Sequence, residues 1–307
     1  MMRQTLITLI ISFLFPVLGY CQQIKKDTIK VFYLAGQSNM EGYGYNSDLP
    51  KSLKQPFKNV YIFHGNSVPD GDAKGGFGKW EILQPGHGVG FSSDSQNNNL
   101  SNRFGVELSF AKKLQEYYPN EKIAIIKYAR GGTSIDSLAA GEFGSWEPDY
   151  KGLNGINQYD HFLTTLKEAL NTKDINADGK EDVLIPCGVI WMQGESDAAY
   201  TEAIATNYYN HLKRMMDLFR ASLRADDLPV VIGKISDSWN DQDGKVWDYG
   251  ELVQYAQEKY VKTDKNAKII RNTRYYKYSD KWHYDSEGYI DLGKKFAEAI
   301  HQLNINK

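Results

Sequence analysis

Cysteine is nearly absent: the 307 residues hold two, Cys21 and Cys187. That count excludes a disulfide framework, and Cys187, inside an apolar run, reads as a small core residue. Charge of one sign is also missing, with 36 Lys and Arg against 38 Asp and Glu for a net charge of -2. No basic stripe stands out, so nucleic acid is not an expected partner. Also missing are any internal repeat and any linker rich enough in Pro, Gly or Ser to separate domains. Residues 24–305 therefore read as one domain, long enough to bury a large core. The first apolar run, Leu6 to Leu18 behind Arg3, is too short for a comfortable membrane span. Residues 1–21 read as a cleaved secretory signal, with Gly19 and Cys21 as the small residues at the cleavage positions. The mature chain is then secreted or periplasmic, with no stable membrane insertion. Lipidation of Cys21 is the second reading, opposed by bulky Tyr20, and an uncleaved anchor is the third.

What is present is alternation. Apolar strand-like runs at Thr28–Ala35, Val60–His64, Lys122–Tyr128, Val183–Met192, Pro229–Ile235 and Lys268–Arg271 interleave with helical patterns at Val106–Tyr118, Tyr159–Leu170, Thr201–Arg224, Tyr249–Val261 and Tyr289–Leu303. Strands alternating with helices predict an α/β fold, a parallel sheet covered by helices on both faces. The segment from Gly65 to Asn102, rich in Gly, Asn, Ser and Asp and holding Trp80, His87 and Phe91, reads as a long loop. It is either a wall of a substrate cleft or a disordered surface insertion.

Several of the strands turn polar at their carboxyl ends. The first runs into Gly36-Gln-Ser38-Asn-Met40, the third into Arg130-Gly131-Gly132-Thr133, and the fourth into Gln193-Gly-Glu195-Ser-Asp197. In a parallel sheet these clusters converge on one rim, where open α/β folds place their ligands. Near the other end of the chain, Asp280 and His283 sit three apart, just before a helical run. A serine needs a base within reach, and the base needs a carboxylate to fix its tautomer. Ser38, His283 and Asp280 supply those three types. Asp174, Asn176, Asp178 and Asp182 carry the alternate oxygen spacing and the glycine (Gly179) of the first half of an EF-hand, although Ile185 stands where its last ligand belongs. A structural calcium ion is one reading of that loop, a metal-free Asx turn the other.

The runs Gly36-Gln-Ser-Asn-Met40, Arg130-Gly-Gly-Thr133, Trp191-Met-Gln-Gly-Glu-Ser-Asp197 and Asp280-x-x-His283, in that order, resemble the SGNH hydrolase superfamily. Within it they are most similar to the sialate O-acetylesterase and acetylxylan esterase group, carbohydrate esterase family 6. The resemblance covers most of the chain after the leader and implies a three-layer α/β/α sandwich. It implies Ser38 as nucleophile, His283 as general base and Asp280 as its support, with Glu195 the rival carboxylate. It further implies an oxyanion hole from the Ser38 backbone N–H, a backbone N–H of Gly131 or Gly132, and the side-chain amide of Gln193, which replaces the asparagine of the wider superfamily. Such acyl transfer requires no cofactor. The expected substrate is an acetylated carbohydrate, xylan or sialic acid. An SGNH hydrolase of other acyl esters, and a carbohydrate-binding relative without activity, are the alternatives.

Overall fold

The run from Val31 to Ala35 is apolar at every position rather than at alternate ones, the pattern of a strand covered on both faces. It forms the centre of β1 (Asp27–Gly36) in the computed structural model, which describes residues 26–306 apart from 69–71, 73 and 153–154. Around it lie β2 (Val60–His64), β3 (Trp80–Ile82), β4 (Lys122–Ala129), β5 (Asp182–Met192), β6 (Val230–Gly233) and β7 (Ala267–Ile270). The order across the sheet is β7-β6-β5-β1-β4-β2-β3. All neighbours are parallel except β3, which runs antiparallel to β2 at the edge.

The helices are α1 (Ser38–Glu41), α2 (Glu107–Tyr117), α3 (Gln158–Asn171), α4 (Glu195–Ala198), α5 (Glu202–Ser222), α6 (Gly250–Thr263) and α7 (Ser286–Ile305). Aromatic packing marks the two helical layers. Phe32 of β1 meets Phe110 of α2 edge-on at 5.4 Å, while Trp191 of β5 meets Phe219 of α5 at 5.6 Å, and Phe219 stacks on Phe162 of α3 at 4.3 Å. Together these layers make the expected three-layer α/β/α sandwich. Successive strands fill one side of β1 and then the other, so the strand order reverses at β1. The carboxyl ends of β1, β4 and β5 therefore flank one crevice.

The segment read as a long loop is more ordered than expected. Its Trp80–Ile82 pairs with β2, and buried Trp80 donates its indole N–H to the Ala169 carbonyl at 3.0 Å. Farther along, Val89 N–H donates to the Gly42 carbonyl at 2.8 Å, and the His87 carbonyl accepts from Lys127 Nζ at 2.7 Å. These contacts brace the turn after α1. Residues 1–21, read as a signal, and Cys21 among them lie outside the described residues, among which no helix is long and apolar enough to cross a membrane.

Candidate active site

A sharp elbow places Ser38. At Gly36 the backbone takes φ 148°, and any Cβ would lie 2.0 Å from the Met192 carbonyl oxygen, so only glycine fits. Gln37 then donates its N–H to that same oxygen at 2.9 Å. Its side-chain oxygen accepts the N–H of Gly194 at 3.2 Å and of Ser196 at 3.4 Å, lacing the end of β1 to the end of β5. Ser38 opens α1 with its hydroxyl held by no group among the described residues.

The histidine is presented by an Asx turn. Asp280 Oδ1 accepts the backbone N–H of Trp282 at 2.7 Å and of His283 at 2.8 Å, leaving Oδ2 at 2.7 Å from His283 Nδ1. With the carboxylate on Nδ1, the favoured tautomer leaves Nε2 as the free acceptor. Burial works to raise the Asp280 pKa, but the His283 and backbone hydrogen bonds prevail and hold it below the ordinary carboxylate value. At His283 burial wins over the Asp280 charge and lowers the pKa below 6.5, so the ring is neutral and basic at pH 7. Tyr43 stacks on the His283 ring with centroids 3.5 Å apart and planes within 6°.

Asn39 ties the serine elbow to the histidine loop. Its amide donates to Glu195 Oε1 at 2.9 Å and to the Trp282 carbonyl at 3.3 Å, and its oxygen accepts from Tyr284 N–H at 3.3 Å and the Tyr289 hydroxyl at 2.8 Å. Glu195 therefore meets Asn39, and it is Asp280 whose carboxylate reaches His283. Burial pushes the Glu195 carboxyl up to about 7 against the pull of the Asn39 hydrogen bond. Its Oε2 has no hydrogen-bond partner among the described residues.

Two of the groups expected as oxyanion-hole donors, the Gln193 amide and the Gly131 N–H of the Gly131 or Gly132 pair, are engaged by other groups. Fully buried Gln193 gives its amide hydrogens to the Thr133 carbonyl at 3.1 Å and to Asp197 Oδ2 at 2.6 Å, and its oxygen accepts the Tyr208 hydroxyl at 2.9 Å. No donor remains for a reacting oxygen, because the longer arm of glutamine reaches a framework carboxylate. Asp197 in turn accepts the N–H groups of Ile135 and Asp136, holding the loop after β4. The Gly131 N–H is likewise taken, by Glu41 Oε2 at 2.7 Å. The backbone N–H groups of Ser38 and Gly132 stay unengaged among the described residues. Gly131 nevertheless lines the site: a Cβ there would sit 3.2 Å from Ser38 Cβ and 3.3 Å from the Tyr43 hydroxyl.

Beneath the elbow lies a buried ion pair. Lys127 Nζ meets Glu107 Oε2 at 2.8 Å and also donates to the Glu41 carbonyl at 2.9 Å, fixing the end of α1. The calcium expectation does not fit the residues present. Asp174 accepts the N–H groups of Asp178 and Gly179, Asp182 accepts from Ile175 N–H and the Asn176 amide, and Lys122 stands 3.3 Å from Asp178. An ammonium and backbone donors already occupy these oxygens, the arrangement of an Asx turn. No group of three His, Cys, Asp or Glu among the described residues is placed to hold a metal ion.

A sequence model of the family described as carbohydrate esterase, sialic acid-specific acetylesterase matches residues 28–302. The chain belongs to that family. This carbohydrate esterase is similar in fold to three solved structures. A protein from Arabidopsis thaliana shares 21% identity at a TM-score of 0.61, covering 89% of this chain and 98% of that one. NanS shares 18% at 0.60, covering 92% and 100%. A carbohydrate acetylesterase from Xanthomonas citri shares 18% at 0.58, covering 90% of this chain and 57% of that one. No curated protein sequence matches it. For this esterase, sequence reasoning missed Gln37, Asn39, Glu41 and Tyr43, all within five residues of Ser38. Their clustering beside the serine was the available signal, but their partners lie far along the chain.

Proposed function

We propose that the protein is a secreted carbohydrate O-acetylesterase that works through an acetyl-enzyme on Ser38. The supporting observation is the 2.7 Å Asp280 to His283 contact on the rim that also carries the free Ser38 hydroxyl. His283 Nε2 takes the Ser38 proton as Oγ bonds the acetyl carbon. The carbonyl oxygen gains negative charge, met by the N–H groups of Ser38 and Gly132; one such donor is typically worth about 3 kcal/mol of barrier. As the C–O bond to the sugar breaks, His283 returns the proton to the departing sugar oxygen. Water, deprotonated by His283, then releases acetate and frees Ser38. Asp280 holds the ring and stabilises the imidazolium throughout. Residues 1–21, read as a signal, support export of the domain.

Acetate release from acetylated sugars by wild type and Ser38→Ala, compared with hydrolysis of longer acyl esters, tests the reading. Loss of acetate release in the variant and preference for acetyl over long chains are expected. Equal rates in the two proteins defeat the nucleophile, and preference for long chains defeats the deacetylase.

A further inference from the structure

Two glycines bracket the serine turn, and the second folds a tyrosine back over the site. Gly42 takes φ 102°, and a Cβ there would lie 2.3 Å from the Gly105 Cα, so the chain doubles back after α1 against backbone that admits no side chain. Tyr43 follows. Its carbonyl accepts from the Arg103 guanidinium, and its ring lies flat on the His283 imidazole. Backbone and ring are both fixed, and with them the hydroxyl.

That hydroxyl makes no hydrogen bond among the described residues. It stands 3.3 Å from the point where a Cβ on Gly131 would sit, and Ser38 Cβ stands 3.2 Å from the same point. A space the size of a methyl group therefore lies between the tyrosine hydroxyl and the serine, open because Gly131 has no side chain to fill it. Glu41 Oε2, held by the Gly131 N–H, borders it at 3.1 Å. Burial, with the Glu41 charge behind it, pushes the Tyr43 phenol up to about 12, so it keeps its proton and can donate. The site is short of such a donor, since the Gln193 amide is spent on Thr133 and Asp197.

We propose that Tyr43 is a further catalytic residue, whose hydroxyl donates to the acetyl oxygen in the role that the Gln193 amide does not fill. The proposal rests on the acetyl-enzyme reading of Ser38. As Ser38 Oγ bonds the acetyl carbon, the carbonyl electron pair moves onto oxygen beside the phenol; it returns as the bond to the sugar oxygen breaks. Tyr43 gives up no proton. The same oxygen is charged again when water attacks the acetyl-enzyme, so one hydroxyl serves both half-reactions.

Tyr43→Phe keeps the ring on His283 and removes only the hydroxyl. On p-nitrophenyl acetate and on an acetylated sugar, kcat falls about 10²-fold while KM stays within about threefold of wild type. The acidic limb of kcat/KM and the urea unfolding midpoint stay where wild type has them, because the stack is intact. A kcat within about threefold of wild type, or a loss that lies in KM, overturns the proposal. A fall in kcat accompanied by a displaced limb also overturns it, since the tyrosine then acts through the imidazole. Ser38→Ala, assayed alongside, keeps the two claims apart. Full activity in Tyr43→Phe with none in Ser38→Ala defeats the tyrosine and leaves the acetyl-enzyme standing, whereas wild-type acetate release by Ser38→Ala defeats the acetyl-enzyme and the tyrosine's role with it.

Discussion

Glu195→Gln separates the two carboxylates near the catalytic rim. The Glu195 side chain is 1% exposed, and burial raises its pKa from 4.5 to about 7. Between those values the folded protein keeps a proton that the unfolded chain has released. Stability therefore falls as pH rises through this window and levels off above it. Carrying the carboxyl from 4.5 to about 7, at about 1.36 kcal/mol for each tenfold change in proton affinity, makes the cost about 3 kcal/mol at pH 8. Glutamine carries no such titration. Its oxygen still accepts from Asn39, while its NH₂ falls where Oε2 has no partner, a cost of about 1–3 kcal/mol that does not depend on pH. Urea unfolding of both proteins across pH 4.5 to 8 should show the variant gaining about 3 kcal/mol on wild type over that range, whatever its starting offset. A difference flat in pH refutes a buried, protonated Glu195. Because His283 leans on Asp280, kcat should fall less than about tenfold. A collapse of kcat as large as that of Asp280→Asn would restore Glu195 as the histidine's partner.

Other expectations follow from the same geometry. Asp280→Asn should lower kcat by about 10³–10⁴-fold with the fold intact by circular dichroism; a nearly silent variant would defeat the assignment. His283 must be neutral to act, so kcat/KM should fall as pH drops through a pKa below 6.5, and a limb centred above 6.5 contradicts its burial. Lys127→Met strands Glu107 without its cation and should cost about 3–5 kcal/mol of unfolding free energy, much of it recovered in Lys127→Met with Glu107→Leu. Loss without recovery would show that the lysine's carbonyl contacts matter more than the pair.

The strands and helices were legible because their periodicities are strong, and the structure moves their ends by only a few residues. β3 was not, because three residues at a sheet edge, Trp80–Ile82, carry no period that stands out from the polar segment around them. Ser38, His283 and Asp280 were readable as residue types in order. The choice between Asp280 and Glu195 was not, since it turns on Asn39 reaching 156 residues along the chain to Glu195. Gln193 misled for the same reason: its motif shows an amide at a strand end, whereas Asp197 and Thr133, brought close only by folding, take up its hydrogens.

Acyl transfer to Ser38 is the step on which the proposed activity turns. Rapid acid quench of the enzyme turning over an acetylated sugar, followed by digestion and mass spectrometry, reads it directly. One acetyl group on the peptide spanning residues 36–42, localised to Ser38 and absent from Ser38→Ala, is the predicted result. Acetate release by Ser38→Ala at the wild-type rate, or an acetyl adduct on another side chain, would contradict it.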